Sequence, residues 1–232
     1  YFFNFNKVSM NHGIKFYLFI VHSIFLACTL SFGQPVEKGE FRKPELVELI
    51  KLDSTFHLDI KYATDKNFLG RSVYSEARAF LQRPAAEALV RVNKKLRSDG
   101  YGLLIFDGYR PWSVTKQFWD EATEEQREIG FVADPQKGSR HNRGCAVDLT
   151  LYCLKTGKEV EMPSEYDEFT ERAHSEYAEG DIESLRLRDL LRRVMESEGF
   201  QVLKEEWWHF DYKDWRLYPI LNLPFEELQQ VN

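Results

Sequence analysis

The stretch SRHNRGCAVDLTLYCL, residues 139–154, changes abruptly from polar to apolar, and it decides how the rest of the chain is interpreted. Its second half is typical of a buried β-strand, with Asp148 on the face opposite Val147 and Leu149. The polar half places a histidine and two arginines where this strand begins. We expect His141 and Asp148 to hold a metal ion at this end of a sheet.

The two residues can share an ion only if the chain between them folds back. Seven extended residues would separate them by about 23 Å, whereas zinc ligands lie about 2.0–2.2 Å from the ion. Asn142, Arg143 and Gly144 favour a turn, and glycine permits the positive φ that a tight reversal needs. The pair alone is equally compatible with a surface strand in which Asp148 caps a turn.

A second segment, EEWWHF at residues 205–210, supplies another histidine and a nearby acid. A catalytic zinc has three protein ligands and one open position, and a separate carboxylate takes a proton from the attacking water. Glu206 and His209 would face opposite sides of a straight strand, so this arrangement requires a turn or bulge at Trp207–Trp208. Taken alone, the segment could be core, with a hydrogen-bonded His209.

Composition narrows the class of protein. The 232 residues are 43% hydrophobic and 15% aromatic, which is enough for one domain with a proper core. The formal net charge of −6 disfavours a nucleic-acid partner. No run of like charge suggests a surface for membrane lipids, and no protein partner is evident.

The amino-terminal residues 1–33 are typical of a secretory signal peptide. A lysine precedes an apolar run from residue 16 to about residue 30, which is shorter than the ~20 residues of a membrane span. Residues 1–9 are consistent with an over-extended start, with Met10 as the initiator. Lipidation at Cys28 and a retained anchor are the alternatives. Each of them predicts an exported, periplasmic domain, bound to the membrane only if Cys28 is lipidated.

The remaining chain predicts a linker at 34–49 and a single domain at 50–232. Periodicity and end signals predict three helices, one long loop and several short strands. The helices are expected at 83–100, 113–129 and 184–199, the loop at 162–180, and one of the strands at 57–62. Because helices and strands mix without a regular βαβ rhythm, we predict an α+β fold with a mostly antiparallel central sheet flanked by helices.

Several motifs together resemble a known family. SRHNRGCAVD fits S-x-H-x-x-G-x-A-x-D, and EWWH fits E-x-W-H. With DIKYATDKNFLG, YGLLIFDGYRP and YDEFTERAH in the same order, residues from about 50 to 212 resemble the zinc D-alanyl-D-alanine dipeptidases, the group that contains the vancomycin-resistance dipeptidase. This resemblance implies a zinc D,D-peptidase fold related to the hedgehog signalling domain.

The resemblance implies a role for each matching residue. His141, Asp148 and His209 would bind one zinc ion. Glu206 would be the general base for the attacking water, and Arg110 would stabilise the oxyanion.

Four further residues are implied for substrate binding. Asp167 would bind the amine of a dipeptide, Ser139 would bind its end groups, and Tyr62 and Asn67 would line the pocket. The implied activity is hydrolysis of D-Ala-D-Ala and related small D,D-dipeptides by a metal-activated water, in cell-wall dipeptide turnover. The alternatives are a D,D-carboxypeptidase or endopeptidase acting on peptidoglycan stem peptides, and a non-catalytic zinc-stabilised wall-binding module.

The other histidines and cysteines of the domain are expected to be structural. Cys145 and Cys153 would lie about 25 Å apart on an extended strand, too far for a disulfide, so we expect two buried free thiols. His57 precedes a strand, and His174 is expected to pack within a loop.

Overall fold

The computed structural model describes residues 33–230, apart from the side chains of residues 229 and 230. The predicted signal peptide, with Met10 and Cys28, therefore lies outside the described residues except for Gly33. Within the described range, no helix combines the length and the apolar character needed to cross a bilayer.

A five-stranded sheet forms the centre of the domain. In spatial order its strands are β2 (His57–Leu58), β4 (Tyr101–Asp107), β5 (Ala146–Cys153), β7 (His209–Tyr212) and β6 (Phe200–Val202). β2 runs parallel to β4, and the other three pairings are antiparallel. A smaller antiparallel sheet pairs β1 (Leu46–Glu48) with β3 (Phe80–Gln82). The predicted α+β fold with a mostly antiparallel central sheet is confirmed.

Two long helices and three short ones surround the sheets. They are α1 (Leu49–Leu52), α2 (Arg83–Ser98), α3 (Trp112–Glu121), α4 (Glu124–Glu128) and α5 (Ile182–Glu196). Pro84 stands in the first turn of α2, where its missing N–H costs nothing. Asp181 caps α5, because its carboxylate accepts the backbone N–H groups of Glu183 and Ser184.

The main core lies between the sheet and the two long helices. The apolar stripes of α2 and α5 and the inward face of β5 are buried there: Leu89, Val92, Leu96, Leu187, Leu190, Leu191, Val147, Leu149 and Leu151. Each fully buried aliphatic side chain of this kind contributes about 1.5–3 kcal/mol. This packing fixes β5, so the side chains on its other face, including Asp148, are held on a rigid support.

A long segment covers part of the opposite face of the sheet. Residues 154–181 contain only one short 3-10 helix, at Glu171–Ala173, as expected for the predicted loop at 162–180. Tyr166 of this segment packs on Phe106 and Trp208. The loop therefore lies on the side of the sheet that carries Asp148.

Two predicted elements need correction. The helix expected at 113–129 is two helices, because Thr123 accepts the N–H of Gln126 while the Gln126 side chain accepts the N–H of Thr123. This capping box starts a new helix. The strand expected at 57–62 ends at Leu58, and Lys61–Ala63 form a 3-10 helix.

The segment predicted as a linker, residues 34–49, packs on the domain instead. Its end forms β1, and Leu49 is fully buried. Glu37 binds Arg143 through one carboxylate oxygen and the backbone N–H of Ile220 through the other. The domain therefore begins before residue 50. The sequence did not predict this, because polar and apolar residues alternate only weakly in this segment and its contacts are with residues distant along the chain.

Candidate metal centre and substrate cleft

Asp148 and His209 are direct neighbours across two strands. They are paired in the register of β5 and β7, and facing side chains on antiparallel strands have Cβ atoms about 4.5–5.5 Å apart. His209 Nδ1 lies 2.9 Å from Asp148 Oδ1. The Glu206–His209 stretch reverses direction in a turn at Trp207–Trp208, as the sequence predicted, with His209 N–H donating to the Glu206 carbonyl.

His141 reaches the same point from a short 3-10 helix, His141–Arg143. Gly144 ends this helix at φ 67°, the left-handed conformation predicted for the reversal. A Cβ at this position would also collide with Leu46. Because the chain folds back here, His141 Nε2 lies 3.1 Å from His209 Nδ1 and 3.3 Å from Asp148 Oδ1.

The second nitrogen of each imidazole is occupied by a backbone or carboxylate acceptor. His141 Nδ1 donates to the Gly108 carbonyl at 2.7 Å, and His209 Nε2 donates to Asp211 Oδ1 at 3.0 Å. These bonds orient the rings and direct His141 Nε2 and His209 Nδ1 toward the point where a metal would bind. Asp211 was not singled out from the sequence, although its position two residues after His209 on the same strand face was a usable signal.

The three side chains fit a zinc ion. One donor atom from each of His141, Asp148 and His209 lies within 4.8 Å of the others, and all three residues are buried. Two imidazoles, one carboxylate and an open side toward a cleft are the donor set of a catalytic zinc site. Although burial opposes its ionisation, the charges and hydrogen bonds of the two histidines hold the pKa of Asp148 well below its ordinary value.

Glu206 lies beside this cluster and borders the cleft. Its Oε2 is 3.8 Å from His209 Nδ1, and its carboxylate accepts no hydrogen bond from any residue in the described range. Burial raises the pKa of Glu206, and the charge of Asp148 acts in the same direction. The carboxylate therefore has an increased affinity for a proton.

Arg110 is aimed into the cleft by a buried aspartate. Asp107 accepts hydrogen bonds from Arg110 Nε at 3.0 Å and from Nη2 at 2.7 Å, and from the Tyr74 hydroxyl at 2.9 Å. A bulge between Ile105 and Asp107 places this aspartate opposite Asp148. The role of Asp107 was missed in the sequence, because a bulge cannot be read from residue spacing.

Asp167 and Tyr62 meet at another part of the cleft. The Tyr62 hydroxyl donates to Asp167 Oδ2 at 3.2 Å. Asp167 has φ 59°, the only positive value at a non-glycine residue in the part of the chain that the structure describes. Burial raises the pKa of Asp167 well above its ordinary value, and Asp148 and Glu206 add to this effect.

The remaining predicted substrate residues divide into one inside the cleft and one outside it. Ser139 is buried at the cleft wall, and its Oγ accepts the N–H of His141 at 3.2 Å. Asn67 does not line the cleft, which corrects the prediction. Its amide donates to three carbonyls of its own loop and accepts the N–H of Leu69. This side chain holds a turn.

The other histidines and cysteines lie apart from the metal ligands. Cys145 and Cys153 are free thiols, as predicted, but only Cys145 is buried and Cys153 is partly exposed. Burial raises the pKa of the Cys145 thiol far above its ordinary value, which makes it a poor metal ligand. His57 is exposed and stacks on Tyr152, and His174 does not border the cleft.

The cleft itself is small, with a volume of about 160 Å³. It brings together His141, Asp148, His209, Glu206, Arg110, Asp167, Tyr62 and Ser139. A buried His–Asp–His cluster with a neighbouring acid and an arginine, in an α+β domain, defines a metal-dependent hydrolase site.

Comparison with known proteins agrees with this class. The profile of the family Peptidase_M15, D-ala-D-ala dipeptidase, matches residues 42–229. The D-alanyl-D-alanine dipeptidase of Enterococcus faecalis V583 is 39% identical over 186 residues, 70% of this chain and 90% of the relative. That of Escherichia coli K12 is 33% identical over 177 residues, 76% of this chain and 89% of the relative. The chain belongs to the D-ala-D-ala dipeptidase family of metallopeptidases, so the family predicted from the motifs is confirmed.

Solved structures of D,D-peptidases are more distant. A vancomycin-resistance D,D-pentapeptidase VanY in complex with Zn(II) is 17% identical, with a TM-score of 0.39 over 67% of this chain and 86% of that chain. The D,D-dipeptidase VanXYg in complex with a D-Ala-D-Ala phosphinate analogue is 19% identical, with a TM-score of 0.39 over 66% and 60% of the two chains.

Proposed function

We propose that this chain hydrolyses D-Ala-D-Ala and related small D,D-dipeptides with one zinc ion. The observation that carries the proposal is the convergence of His141, Asp148 and His209 at a cleft that also contains Glu206. The family match and the curated dipeptidase relatives support the same reaction.

The proposed zinc ligands are His141 Nε2, Asp148 Oδ1 and His209 Nδ1. When bound, the ion polarises the scissile carbonyl and increases the acidity of water. Asp211 and the Gly108 carbonyl hold the two imidazoles in the orientation that this set requires.

Glu206 is proposed as the group that moves the proton. Its carboxylate takes a proton from the attacking water, and the same oxygen then delivers it to the amine of the leaving residue. Its position 3.8 Å from His209 Nδ1 keeps this transfer next to the metal ligands.

Arg110 is proposed to stabilise the negative charge that develops on the carbonyl oxygen. Two of its nitrogens are engaged with Asp107, which fixes the guanidinium plane. The guanidinium also lies over the rings of Tyr62 and Phe118, with its carbon 5.1 Å and 4.7 Å from the ring centroids. A donor group held in place before the reaction loses no free energy to reorganisation during it.

Asp167 and Tyr62 are proposed to bind the free amine of the dipeptide. A carboxylate in this small cleft is a suitable partner for an ammonium group, which also returns Asp167 to its ionised form. Ser139 is proposed to contact the end groups on the leaving residue.

The test uses the purified chain with zinc and two substrates, D-Ala-D-Ala and N-acetyl-D-Ala-D-Ala. We expect alanine release from the first and much slower release from the second. Cleavage of both at similar rates would favour a carboxypeptidase or endopeptidase. His141→Ala should lose zinc and activity together, whereas the control His57→Ala should retain both. Zinc binding without hydrolysis of either peptide would favour a wall-binding module.

We also infer export, with a role in turnover of dipeptides released from the cell wall. The supporting feature is the sequence of residues 10–33, which has the layout of a signal peptide. Mass spectrometry of the mature amino terminus distinguishes cleavage near Gln34 from lipidation at Cys28. An intact amino terminus on a cytoplasmic protein would contradict export.

A further inference from the structure

Arg140 occupies a variable position of the S-x-H motif, and the proposed function gives it no role. Arg140 lines the catalytic cleft, as Ser139 and His141 do. It also lines a second cavity of about 450 Å³. The two cavities share six lining residues, among them Gly138, Ser139 and Arg140. Arg140 therefore lies between the catalytic cleft and this adjoining cavity.

The guanidinium of Arg140 is held in place from two sides. Its Nε lies 3.3 Å from Asp211 Oδ2, and its carbon lies 5.2 Å from the centroid of the Trp215 ring. Stacking and a single ion pair restrict the side chain, although 42% of it is exposed. A ligand would consequently lose little free energy in ordering this group.

The terminal nitrogens of Arg140 have no partner among residues 33–230. The other arginines at the two cavities differ in this respect, because each commits at least one terminal nitrogen. Arg110 binds Asp107, Arg127 binds the Asp120 carbonyl, and Arg143 binds Glu37. Arg140 thus has two free N–H groups in the fork geometry that matches a carboxylate.

The charges and the space in the cleft indicate which carboxylate of a substrate Arg140 would bind. A dipeptide is a zwitterion, and Asp167 provides the acidic partner for its ammonium group. Arg140 lines the part of the cleft that adjoins the second cavity, and Asp167 does not border that cavity. The second cavity has space for a side chain, and its wall includes Trp119, Lys137 and Trp215.

We infer that Arg140 binds the free carboxylate of the leaving amino acid and that the adjoining cavity accommodates that residue's side chain. This assignment rests on the proposed dipeptidase function. It makes Arg140 the residue that distinguishes a free carboxyl terminus from a continuing or blocked peptide.

The test compares D-Ala-D-Ala with D-alanyl-D-alanine amide, which lacks the carboxylate. Arg140→Gln should lower kcat/KM for the free acid by about 10- to 100-fold, the range for a hydrogen bond to a charged group, mainly through KM. Hydrolysis of the amide should change little, so the preference for the acid disappears. Arg140→Lys should restore part of this preference, since it keeps the charge but not the fork.

Arg42→Gln is the matched control, because it removes the same charge from an arginine that lines neither cavity. Arg42 is 49% exposed and pairs with Asp214, so the preference for the acid should persist. If Arg140→Gln acted instead through Asp211 on His209, hydrolysis of both substrates would slow equally and the zinc content would fall. That result, or an unchanged preference in Arg140→Gln, would overturn the assignment.

A binding measurement separates this assignment from the dipeptidase proposal. Calorimetry on the zinc-loaded Glu206→Gln variant should show tighter binding of the acid than of the amide, and Arg140→Gln in that background should remove the difference. If no hydrolysis occurs but this pattern is seen, the dipeptidase proposal fails and the role of Arg140 stands. Equal binding of acid and amide overturns the role of Arg140 even if hydrolysis is observed.

Discussion

The cleft has two parts that differ in charge and in the groups that adjoin them. The part around Asp167 is acidic. Phe131 lines the cleft and packs on Phe169, with ring centroids 3.5 Å apart. The part around Ser139 and Arg140 is cationic and shares these two residues with the lining of a second cavity. The metal ligands are common to both.

This difference suggests how a small cleft selects a dipeptide. An acid at the amine part and a cation at the carboxylate part match the two charges of a zwitterion. We expect the Phe131–Phe169 contact to limit extension at the amine part, and the adjoining cavity to accommodate a larger leaving residue. Chain length and side-chain tolerance would thus be set by different residues.

Apart from the metal ligands and Glu206, the largest effect is expected at Arg110, which acts on the reacting carbonyl and not on either part of the cleft. Arg110→Lys keeps the charge but loses the fork held by Asp107, and kcat should fall by about 10²–10³-fold, as for removal of an oxyanion donor. Steady-state kinetics on the acid and the amide should show equal losses. An altered preference between the acid and the amide would mean that Arg110 also binds the carboxylate of the substrate.

The next effect is expected at the amine part. Asp167→Asn should raise KM for D-Ala-D-Ala by about 10- to 100-fold, because a charged hydrogen bond to the ammonium is lost. Asparagine tolerates the left-handed backbone at this position, so the fold should persist. Circular dichroism checks the fold. An unchanged KM would remove Asp167 from amine binding.

The same residue predicts a pH dependence. The charged and titratable groups that face it are Tyr62, Arg110, Asp148 and Glu206. Because the pKa of Asp167 is raised above 3.8, the ionised form that pairs with an ammonium is lost at a higher pH than for an ordinary aspartate. KM should therefore rise as pH falls through this raised pKa. In Asp167→Asn that dependence of KM should disappear; its persistence would assign it to another group.

The smallest effect is expected at the aromatic contact. Phe169→Ala should open the amine part and improve hydrolysis of N-acetyl-D-Ala-D-Ala about 2- to 10-fold relative to D-Ala-D-Ala, the range of one aromatic pair. Ile182→Ala is the control, because Ile182 is 84% exposed, whereas Phe169 packs on Phe131, which lines the cleft. An unchanged ratio in Phe169→Ala would show that this contact does not limit substrate length.

The sequence predicted the parts of the site that motifs record. The motif segments predicted the family, and periodicity predicted the strand that carries Asp148. The turn before His209 was predicted because Glu206 and His209 must lie on the same side. Among the residues behind the site, Asp211 shares a strand face with His209 and could have been found from that pattern. Asp107 depends on a bulge and Arg140 on how two cavities meet, so neither could be predicted in this way.

The wrong predictions have physical causes of the same kind. Asn67 lies in a segment that resembles the family, but its amide is used by three carbonyls of its own loop. The break between α3 and α4 depends on a capping box that competes with an apparently continuous helical pattern. Residues 34–49 appeared to be a linker because their partners, such as Arg143, are distant in sequence.

The proposed hydrolysis depends on Glu206 acting as a base beside a metal ion that it does not bind. The most direct measurement is turnover of D-Ala-D-Ala by zinc-loaded Glu206→Gln, with zinc per chain determined on the same sample. We predict that kcat falls by about 10²–10⁴-fold, the usual contribution of a general base, while zinc content equals that of the wild-type chain. Undiminished turnover, or loss of the zinc, would contradict the mechanism.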